Sequence, residues 1–398
     1  MKVALVDNMN NNFFALARYL KDLGVDADLY LIPGRNQRHF EPQNDTWSDL
    51  KNESWIKEFP VSYNFRSYLM PLKSKLKRLM LKYDKIIACG SSLGLLTKAG
   101  VRVDMFIPYG SDLIHSPFNN YELPKKIKHL LRIPIMLYRS RLQGIGIQKS
   151  RSIVVNTNWK LAADALKKLN VTAINLPRIM IYREKNPPKM DIKYGWLSRH
   201  DFSIFSPTRH EWATNSDPMP DFNENKGAKR NDKLIKAFAL FVKSRHVLKP
   251  ILIMSEYGSD VLHSKALVKH LGIDNFVKWL PILPRKELSV IMKKVNVVAD
   301  QFREGMSATS AGTTNEALAA GKPVIANTDG ACNDIFDPYF SCPILEAVTV
   351  EEINAWLKKL SDSTSFAKSI GDNCLQWFDE NLSYGLARKY IGLLSSNH

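Results

Sequence analysis

Residues 299–330 read ADQFREGMSATSAGTTNEALAAGKPVIANTDG, and this stretch decides the fold of the second half of the chain. It ends a β-rich run over 295–299, passes through a loop of small residues and opens a short helix, and a second apolar run over 323–326 follows. The small side chains let a ligand approach the backbone, and the first amides of a helix lack partners and carry partial positive charge. We therefore expect a phosphate group at the start of this helix.

Glu316 lies just inside the same helix. A carboxylate at that position can accept hydrogen bonds from two neighbouring hydroxyl groups, such as those of a ribose. A phosphate site beside a diol site predicts that the ligand is a nucleotide.

The composition is that of a globular protein with two domains. The chain has 398 residues, of which 45% are hydrophobic and 24% charged, and this length suffices for two complete cores. No apolar run is long enough for a membrane-spanning helix, and the N-terminus lacks the features of a signal peptide, so we expect a cytoplasmic protein. The four cysteines show no C-x-x-C spacing, which predicts free thiols and no zinc site.

The net charge of +17 belongs to the first half of the chain. Residues 1–200 hold 33 basic and 16 acidic side chains, whereas residues 201–398 hold 23 of each. Basic and apolar residues interleave in LMPLKSKLKRLMLK, residues 69–82, and in KKIKHLLRIPIMLYRSR, residues 125–141. Such segments are typical of helices that lie on an anionic membrane surface, or of helices that pack on their own domain with a solvated basic face. Because no nucleic-acid module accompanies them, we expect no nucleic-acid partner.

Strand and helix patterns alternate along both halves. The stretch 35–65 is polar and irregular and is interpreted as a long loop or insertion, and a Lys-, Pro- and Asn-rich boundary lies at 182–195. Repeated βα units predict parallel sheets with helices on both faces. We therefore expect an α/β protein with two Rossmann-like, doubly wound domains facing a central cleft, with the ligand at the carboxyl ends of the strands.

The string NEALAAGKPVIA at 315–326 resembles a motif of the nucleotide-sugar glycosyltransferases of the GT-B fold. It is most similar to the large retaining family that builds bacterial surface glycans, family four of group 1 type. The strings FSPTRHEW at 205–212, KRNDKLIKAF at 229–238 and EYGSD at 256–260 extend the resemblance, and YGSDL at 109–113 adds a weaker match in the first half.

The resemblance implies roles for particular residues. Glu316 would bind the donor ribose, and Arg209 together with Lys229 would neutralise the diphosphate, with Lys226 as the rival of Lys229. The diphosphate would lie against Gly312, Thr313 and Thr314, the base would lie between Trp279 and Leu280, and Asn11 and Asn12 would face the donor phosphate from the first half.

One departure from the family concerns the donor sugar. The family has a second Glu eight residues before the ribose Glu, and here that position is Ala308. Glu304, twelve residues before Glu316, either takes over this contact or the contact is absent. Asp112 in the YGSDL string either orients the sugar or acceptor or caps the turn that follows it.

The implied reaction is a retaining transfer of a hexose from a nucleotide diphosphate sugar to a lipid-linked glycan or surface polysaccharide. UDP is favoured because the family uses it often. Neither a metal nor a cofactor is expected, since Arg209, Lys229 and a helix N-terminus would stabilise the leaving phosphate, and the Asp26/Asp28 pair is interpreted as a solvated strand end. The alternatives are a sugar-nucleotide epimerase of the same fold and a non-catalytic nucleic-acid-binding protein.

The resemblance also implies the domain plan. Residues 1–185 would bind the acceptor, residues 195–375 would bind the nucleotide sugar, and a C-terminal helix within 376–398 would return to the first domain. An enzyme of this kind would stay in the cytoplasm, peripheral on the inner face of the cell membrane.

Overall fold

A computed structural model describes residues 1–34, 41–71, 73–118, 133–184, 188, 191–213, 229–244, 247–305, 307–309 and 311–396. The chain divides into two compact units. The first unit comprises Met1–Tyr182, Phe336–Pro338 and Leu382–His398, and the second comprises Arg183–Ile335 and Tyr339–Asn381. The chain thus passes to the second unit at residue 183, where the sequence predicted a boundary between residues 185 and 195. It returns to the first unit at residue 382, where the sequence predicted a return at residue 376.

The first unit alternates strands and helices. Its strands are β1 (Lys2–Val6), β2 (Asp26–Leu31), β3 (Ile56–Glu58), β4 (Lys85–Ala88), β5 (Met105–Phe106), β6 (Ser152–Val155) and β7 (Ile174–Asn175). Its helices are α1 (Asn12–Asp22), α2 (Phe65–Leu69), α3 (Lys73–Met80), α4 (Ser92–Lys98), α5 (Ser111–Ile114), α6 (Ile133–Lys149) and α7 (Lys160–Leu169). Helix α15 (Tyr384–Ser395) joins it from the end of the chain and packs on α1.

The second unit repeats the pattern. Its strands are β8 (Phe202–Ser206), β9 (Pro250–Ser255), β10 (Val277–Leu280), β11 (Val297–Ala299), β12 (Val324–Ala326) and β13 (Leu345–Glu346). Its helices are α8 (Asp191–Tyr194), α9 (Asn231–Lys243), α10 (Val261–His270), α11 (Arg285–Lys294), α12 (Gly312–Ala319), α13 (Val350–Asp362) and α14 (Thr364–Asn381).

Each unit is built on one parallel sheet. The strand order over the described residues is β3-β2-β1-β4-β5-β6-β7 in the first unit and β10-β9-β8-β11-β12-β13 in the second. In both sheets the order reverses direction once, between β1 and β4 and between β8 and β11. A reversal of this kind opens a crevice at the carboxyl ends of the two strands, and this is where open α/β sheets bind ligands. The prediction of two doubly wound α/β domains is confirmed.

The structure corrects the sequence interpretation of residues 35–65. Strand β3 lies within that stretch and pairs with β2 at the edge of the sheet. Lys57 on β3 forms an ion pair with Asp28, whose carboxylate also accepts a hydrogen bond from the hydroxyl of Tyr83 at 2.6 Å. Asp28 is therefore buried and paired, and only Asp26 has the solvated position that the sequence predicted for both.

The first basic segment, residues 69–82, contains α3, and only its first residue, Leu69, belongs to α2. Helix α2 ends before Met70–Pro71, and Lys98 holds that end because its ammonium group donates to the carbonyls of Ser67 at 3.1 Å, Tyr68 at 2.5 Å and Met70 at 2.6 Å. On α3, Leu76 and Met80 pack into the core. Residues 119–132 lie outside the described residues, so only the part of the second segment from Ile133 onward is seen, on α6.

None of the helices in the described parts of the chain combines the length and the apolar character that a bilayer crossing requires.

Two helical glycines give opposite predictions for stability. A Cβ on Gly371 of α14 would lie closer to the carbonyl oxygen of Gly321 than van der Waals contact allows. A Cβ on Gly392 of α15 would have no other atom within 4 Å. We expect Gly371→Ala to lower the free energy of unfolding by about 1–3 kcal/mol through overpacking. We expect Gly392→Ala to raise it by about 0.5–1 kcal/mol through helix propensity. Urea denaturation of both variants checks the pair, and a neutral Gly371→Ala would contradict the packing described.

Candidate functional site

The candidate site lies at the strand-order reversal of the second unit. Asp300, directly after β11, is buried, and its carboxylate accepts three hydrogen bonds. Thr208, just after β8, donates its hydroxyl to Oδ1 at 2.8 Å, and Thr314 donates its hydroxyl at 2.7 Å and its backbone N–H at 3.2 Å to Oδ2. Asp300 therefore ties the end of β8 to the first turn of α12.

The two candidate cations are held by the same local structure. Arg209 Nε lies 2.7 Å from Oε1 of Glu211, and the carbonyl of Glu211 accepts the backbone N–H of Lys229 at 2.8 Å. The ammonium group of Lys229 donates to Oε1 of Gln301, the residue after Asp300. The structure thus brings Arg209 and Lys229 to the ends of β8 and β11, and the Arg209 side chain stays 41% exposed. The rival Lys226 lies outside the described residues.

Glu316 has a partner that the sequence did not indicate. Nε of Arg285, the first residue of α11, lies 2.8 Å from Oε1 of Glu316, and the two side chains are 21% and 9% exposed. An ion pair this sheltered from water orients the carboxylate more firmly than a surface pair does. An added Cβ on Gly312 would lie 3.9 Å from Oε1 of Glu316. The carboxylate therefore lies close to the start of its own helix.

The start of α12 divides its residues between the interior and the surface. Gly312 and Thr313 are partly exposed, whereas Thr314 is fully buried and both its hydroxyl and its N–H are donated to Asp300. The expectation that Thr314 contacts the diphosphate is therefore corrected, because its donors already serve the protein interior. Gly312 and Thr313 keep that role as a prediction.

The side of the site next to β10 is aromatic. Trp279 is partly exposed, and its ring centroid lies 5.5 Å from the ring centroid of His210. The ammonium group of Lys265 lies 5.4 Å from the ring centroid of Trp279. Leu280 is buried, and its backbone carbonyl accepts the N–H of Glu256 at 2.7 Å. The ring of Trp279 can stack on a planar base, whereas the side chain of Leu280 lies below the surface.

His210 is a buried neutral histidine. Its Nδ1 lies 2.8 Å from the hydroxyl of Ser264, and its Nε2 has no hydrogen-bond partner among the described residues. Burial lowers the pKa of His210 from 6.5 to about 4, because the charged imidazolium would lose its hydration. The ring therefore packs beside Trp279 in its neutral form at neutral pH.

The segment that follows Arg209 is anchored by a second buried carboxylate. Asp260 is fully buried and accepts the backbone N–H of Trp212 at 2.6 Å and of Ala213 at 2.8 Å. Asp260 is the last residue of the EYGSD string, and no local pattern predicts this role for it. Its position explains why that string lies beside the Arg209 segment.

The departure at Ala308 has a structural basis. Ala308 is fully buried and its N–H donates to the carbonyl of Asn327 at 2.8 Å. A side chain at this position points into the protein and has no access to a donor sugar. Glu304 is 79% exposed and lies 4.0 Å from the ammonium group of Lys233, so its carboxylate is accessible to solvent and ligand.

Asp112 of the first unit is a buried residue of α5 whose carboxylate is held by backbone donors. Its Oδ1 accepts the N–H of Tyr109 at 2.8 Å and of Gly110 at 2.9 Å, and its Oδ2 accepts the N–H of Gly90 at 2.8 Å. Burial raises the pKa of Asp112, and these backbone donors offset part of that rise. None of these donors belongs to the turn that follows Asp112, so the expected cap of that turn is not what the carboxylate forms; it anchors the segment before α5 to Gly90. A contact between Asp112 and the sugar or acceptor stays a prediction.

The two asparagines at the start of α1 also differ from one another. Asn11 donates its amide to the carbonyl of Glu41 and to Oδ1 of Asp45, both at 2.9 Å, and its Oδ1 accepts from Asn8. These bonds occupy its side chain, so the expectation that it faces a donor phosphate is corrected to a loop anchor. Asn12 is 2% exposed, and neither side-chain atom has a hydrogen-bond partner among the described residues.

In the ranges that the structure describes, no group of three or more His, Cys, Asp and Glu side chains has the arrangement of a metal site.

Comparison with protein families finds a match in the second half of the chain. Residues 222–377 match the family described as glycosyl transferases group 1. A mannosyltransferase of Mycolicibacterium hassiacum, named MMP alpha-(1→4)-mannosyltransferase, is 29% identical over 112 residues. That match spans 28% of this chain and about a quarter, 26%, of the mannosyltransferase.

Solved structures share the whole fold. The Anabaena protein HepE in complex with UDP superposes with a TM-score of 0.59 at 15% identity and covers 98% of both chains, and its UDP-glucose complex gives 0.57. WaaG, a glycosyltransferase involved in lipopolysaccharide biosynthesis, superposes with a TM-score of 0.56 at 16% identity over 99% of this chain and 100% of its own. At these identities the likeness establishes the fold.

The depressed pKa of His210 gives a pH-dependent prediction. The imidazole of His210 binds a proton near pH 6.5 in the unfolded chain but only near pH 4 in the folded protein. The neutral, buried imidazole is therefore fully compatible with the fold above pH 6.5, and this stability is lost as the pH falls from 6.5 toward 4. Between pH 7 and pH 5 the free energy of unfolding should fall by about 2 kcal/mol more in the parent than in His210→Gln. Urea denaturation at both pH values measures the difference, with His270→Gln on α10 as control. Equal pH dependence of parent and His210→Gln would contradict the burial described.

Proposed function

We propose that this chain, a member of the group 1 glycosyltransferases through residues 222–377 and a protein of the GT-B fold, transfers a hexose from a UDP-sugar to a hydroxyl group of a glycan acceptor. The observation that carries the proposal is the Glu316 carboxylate, which Arg285 holds at the start of α12. Arg209 and Lys229 lie at the ends of the neighbouring strands β8 and β11. A cationic region and an oriented carboxylate at the same strand ends match a diphosphate joined to a ribose.

The donor is proposed to bind through three kinds of contact. The carboxylate of Glu316 accepts hydrogen bonds from the ribose hydroxyls, and the amides of Gly312 and Thr313 donate to the diphosphate at the helix N-terminus. Trp279 packs against the uracil ring from β10, with Leu280 behind it. UDP is proposed as the nucleotide because HepE, which shares the fold, was solved with UDP and with UDP-glucose.

The reaction breaks the bond between the anomeric carbon and the phosphate oxygen of the donor. The acceptor oxygen attacks on the same face of the sugar, so the configuration is retained, and its proton passes to the departing phosphate oxygen. Negative charge grows on that phosphate, and Arg209 and Lys229 are proposed to stabilise it without a metal ion. Loss of one such positioned cation should raise the barrier by about 2–4 kcal/mol, by analogy with a lost oxyanion donor. Glu304, exposed on the loop after β11, is proposed to contact the sugar.

The acceptor is proposed to be a lipid-linked glycan or surface polysaccharide, reached at an anionic membrane. The basic–apolar surface of the first unit, defined by Lys75, Lys77, Arg78 and Leu81 with Leu69 and Met70, supports this proposal. The three cations are exposed on α3, and Leu69, Met70 and Leu81 are 64%, 57% and 74% exposed. WaaG, which shares the fold, is described as acting in lipopolysaccharide biosynthesis. The protein would then be cytoplasmic and peripheral on the inner face of the membrane.

Turnover of UDP-glucose by the purified protein tests the proposed reaction. We expect slow release of UDP and glucose without acceptor, and its loss in Glu316→Ala and Glu316→Gln because the ribose contact is gone. Glu351→Gln, an exposed carboxylate on α13, is the matched control. Normal turnover in both Glu316 variants would overturn the donor assignment. A product that is an isomeric UDP-sugar would point to the epimerase alternative.

The Arg285–Glu316 pair predicts a donor-binding effect. Arg285→Ala should weaken UDP binding by about tenfold or more, because an ion-paired hydrogen bond contributes about 1.5–3 kcal/mol to the position of the carboxylate. Isothermal titration calorimetry with UDP measures the change, and Lys286→Ala, the next cation on α11, is the control. Unchanged affinity in Arg285→Ala would show that the pair does not orient the ribose contact.

The basic–apolar surface predicts salt-dependent vesicle binding. Each basic residue near an anionic surface contributes about 1 kcal/mol, so the triple variant Lys75→Glu, Lys77→Glu and Arg78→Glu should lose most binding to phosphatidylglycerol vesicles. The triple variant Lys358→Glu, Lys359→Glu and Lys368→Glu in the second unit changes the net charge equally and serves as control. Sedimentation with vesicles measures the bound fraction of each triple variant. Equal binding of the two variants would contradict a specific membrane-binding surface.

A further inference from the structure

Three of the four cysteines of the chain lie near one another in the second unit. Cys332 belongs to the segment after β12, Cys342 lies before β13, and Cys374 lies on α14. All four thiols are free, and Cys332 is partly exposed, whereas Cys342, Cys374 and Cys89 are buried. Because a thiol reacts only where a reagent can reach it, an oxidant in solution meets Cys332 before the other three.

The thiols of Cys332 and Cys342 are hydrogen-bonded to each other. Their backbones are also tied, because the N–H of Ser341 donates to the carbonyl of Cys332 at 2.8 Å. A disulfide forms without backbone movement when the two Cα atoms are about 4.4–6.8 Å apart and the side chains point toward each other. The backbone bond at the residue before Cys342 and the thiol–thiol contact give the pair this arrangement.

The turn before Cys342 fixes the direction of its side chain. Ser341 has a φ of +57°, a value that residues with a side chain adopt at a cost. The N–H of Cys342 donates to the carbonyl of Tyr339 at 3.0 Å, and the carbonyl of Cys342 accepts the N–H of Ile344 at 2.8 Å. The turn is therefore held on both sides of the cysteine, and the surrounding structure maintains its strain.

Cys374 is the rival partner of Cys342, and its contacts differ. Its thiol donates to the carbonyl of Pro343 at 3.7 Å, and it shares an electrostatic interaction with Cys342, whereas Cys332 shares a hydrogen bond. Burial raises the pKa of the Cys342 thiol, and it raises the pKa of the Cys374 thiol to about 12. Neither buried thiol therefore supplies much thiolate at neutral pH, and Cys332 is the thiol that an oxidant attacks first.

We propose that Cys332 and Cys342 form a reversible disulfide when the protein meets a peroxide, with Cys332 oxidised first and Cys342 completing the bond. Disulfides of this kind in a reducing compartment are transient and serve as redox sensors. The proposal concerns the segment between β12 and β13, and it is independent of the proposed glycosyl transfer.

The reaction consumes a peroxide molecule and releases water in each of its steps. The sulfur of Cys332 attacks an oxygen of hydrogen peroxide, the O–O bond breaks, and the other oxygen leaves as water with the thiol proton. The sulfur is thereby oxidised to a sulfenic acid and the peroxide is reduced. The sulfur of Cys342 then attacks the sulfur of Cys332, the S–O bond breaks, and the hydroxyl leaves as water with the proton of Cys342. Dithiothreitol reverses the product by thiol–disulfide exchange.

The disulfide would close a ring over residues 332–342 that supports the start of α12. Within this ring Tyr339 is buried, and its ring centroid lies 5.5 Å from that of Trp377 on α14. The hydroxyl of Tyr339 donates to Oδ1 of Asn315 at 3.2 Å, and Asn315 precedes Glu316 on α12. Because ring closure restricts the unfolded chain, the bond stabilises the fold in which Tyr339 contacts α12.

Peptide mapping of the full chain after treatment with hydrogen peroxide tests the proposal. An endoprotease that cleaves before aspartate places the three cysteines of the second unit on separate peptides, residues 329–333, 337–361 and 372–378. We expect the peptide of Cys332 to be linked to the peptide of Cys342, and the link to disappear after dithiothreitol. It should be absent from Cys332→Ser and present in the controls Cys374→Ala and Cys89→Ala.

Thermal unfolding gives a second measurement on the same samples. Oxidation should raise the unfolding midpoint by about 5–10 °C, which is the size expected for a disulfide that closes a short ring in a chain of several hundred residues. Dithiothreitol should remove this increase. Cys332→Ser should show no increase, whereas Cys89→Ala in the first unit should show it in full.

Four outcomes would overturn the proposal. The first is that Cys332 stays reduced or is oxidised to a sulfinic acid while Cys342 remains free. The second is a link between Cys342 and Cys374, and the third is a dimer of two chains joined through Cys332. The fourth is a lower unfolding midpoint in the linked protein, because the bond would then distort the native turn at Ser341.

Discussion

The buried carboxylate of Asp300 is the contact on which the rest of the second unit's site depends. It accepts hydrogen bonds from Thr208 after β8 and from the N–H and hydroxyl of Thr314 in the first turn of α12. A buried carboxylate that accepts three hydrogen bonds is costly to disturb, because each lost partner leaves charge unsatisfied. The start of α12, the Arg209 segment and the end of β11 are therefore held as one structure, and Gln301 extends it to Lys229. The exposed amides and the Glu316 carboxylate gain their fixed geometry from this arrangement.

The two units use the same order of strands around the reversal of their sheets. In each sheet the strand order reverses once, and the chain places polar residues directly after the strands at that point. In the second unit these residues include Arg209 and Lys229, and in the first unit they include Asp7, pinned against Gly90. The topology accounts for where the donor site lies, while the side chains account for what it would bind.

Local sequence patterns predicted more of the fold than of the site. The loop of small residues, the short helix and the apolar run within residues 299–330 follow from local propensity, so α12 and the position of Glu316 on it could be predicted. Strand β3 could not, because a three-residue edge strand depends on its pairing with β2 and on the bond from Lys57 to Asp28. The partner of Glu316 is Arg285, which lies 31 residues earlier, and no local pattern connects them. The inward turn of Thr314 and the anchoring role of Asn11 likewise depend on partners supplied by the tertiary fold.

The central claim is that a nucleotide diphosphate docks at the start of α12 with its ribose on Glu316. A crystal structure of the protein soaked with UDP tests it most directly. We expect both ribose hydroxyls to lie within hydrogen-bond distance of the Glu316 carboxylate. We expect the diphosphate to bind the amides of Gly312 and Thr313, and the uracil to lie beside Trp279. Electron density for UDP at another place, with the Arg285–Glu316 pair unchanged and no ligand beside it, would contradict the account.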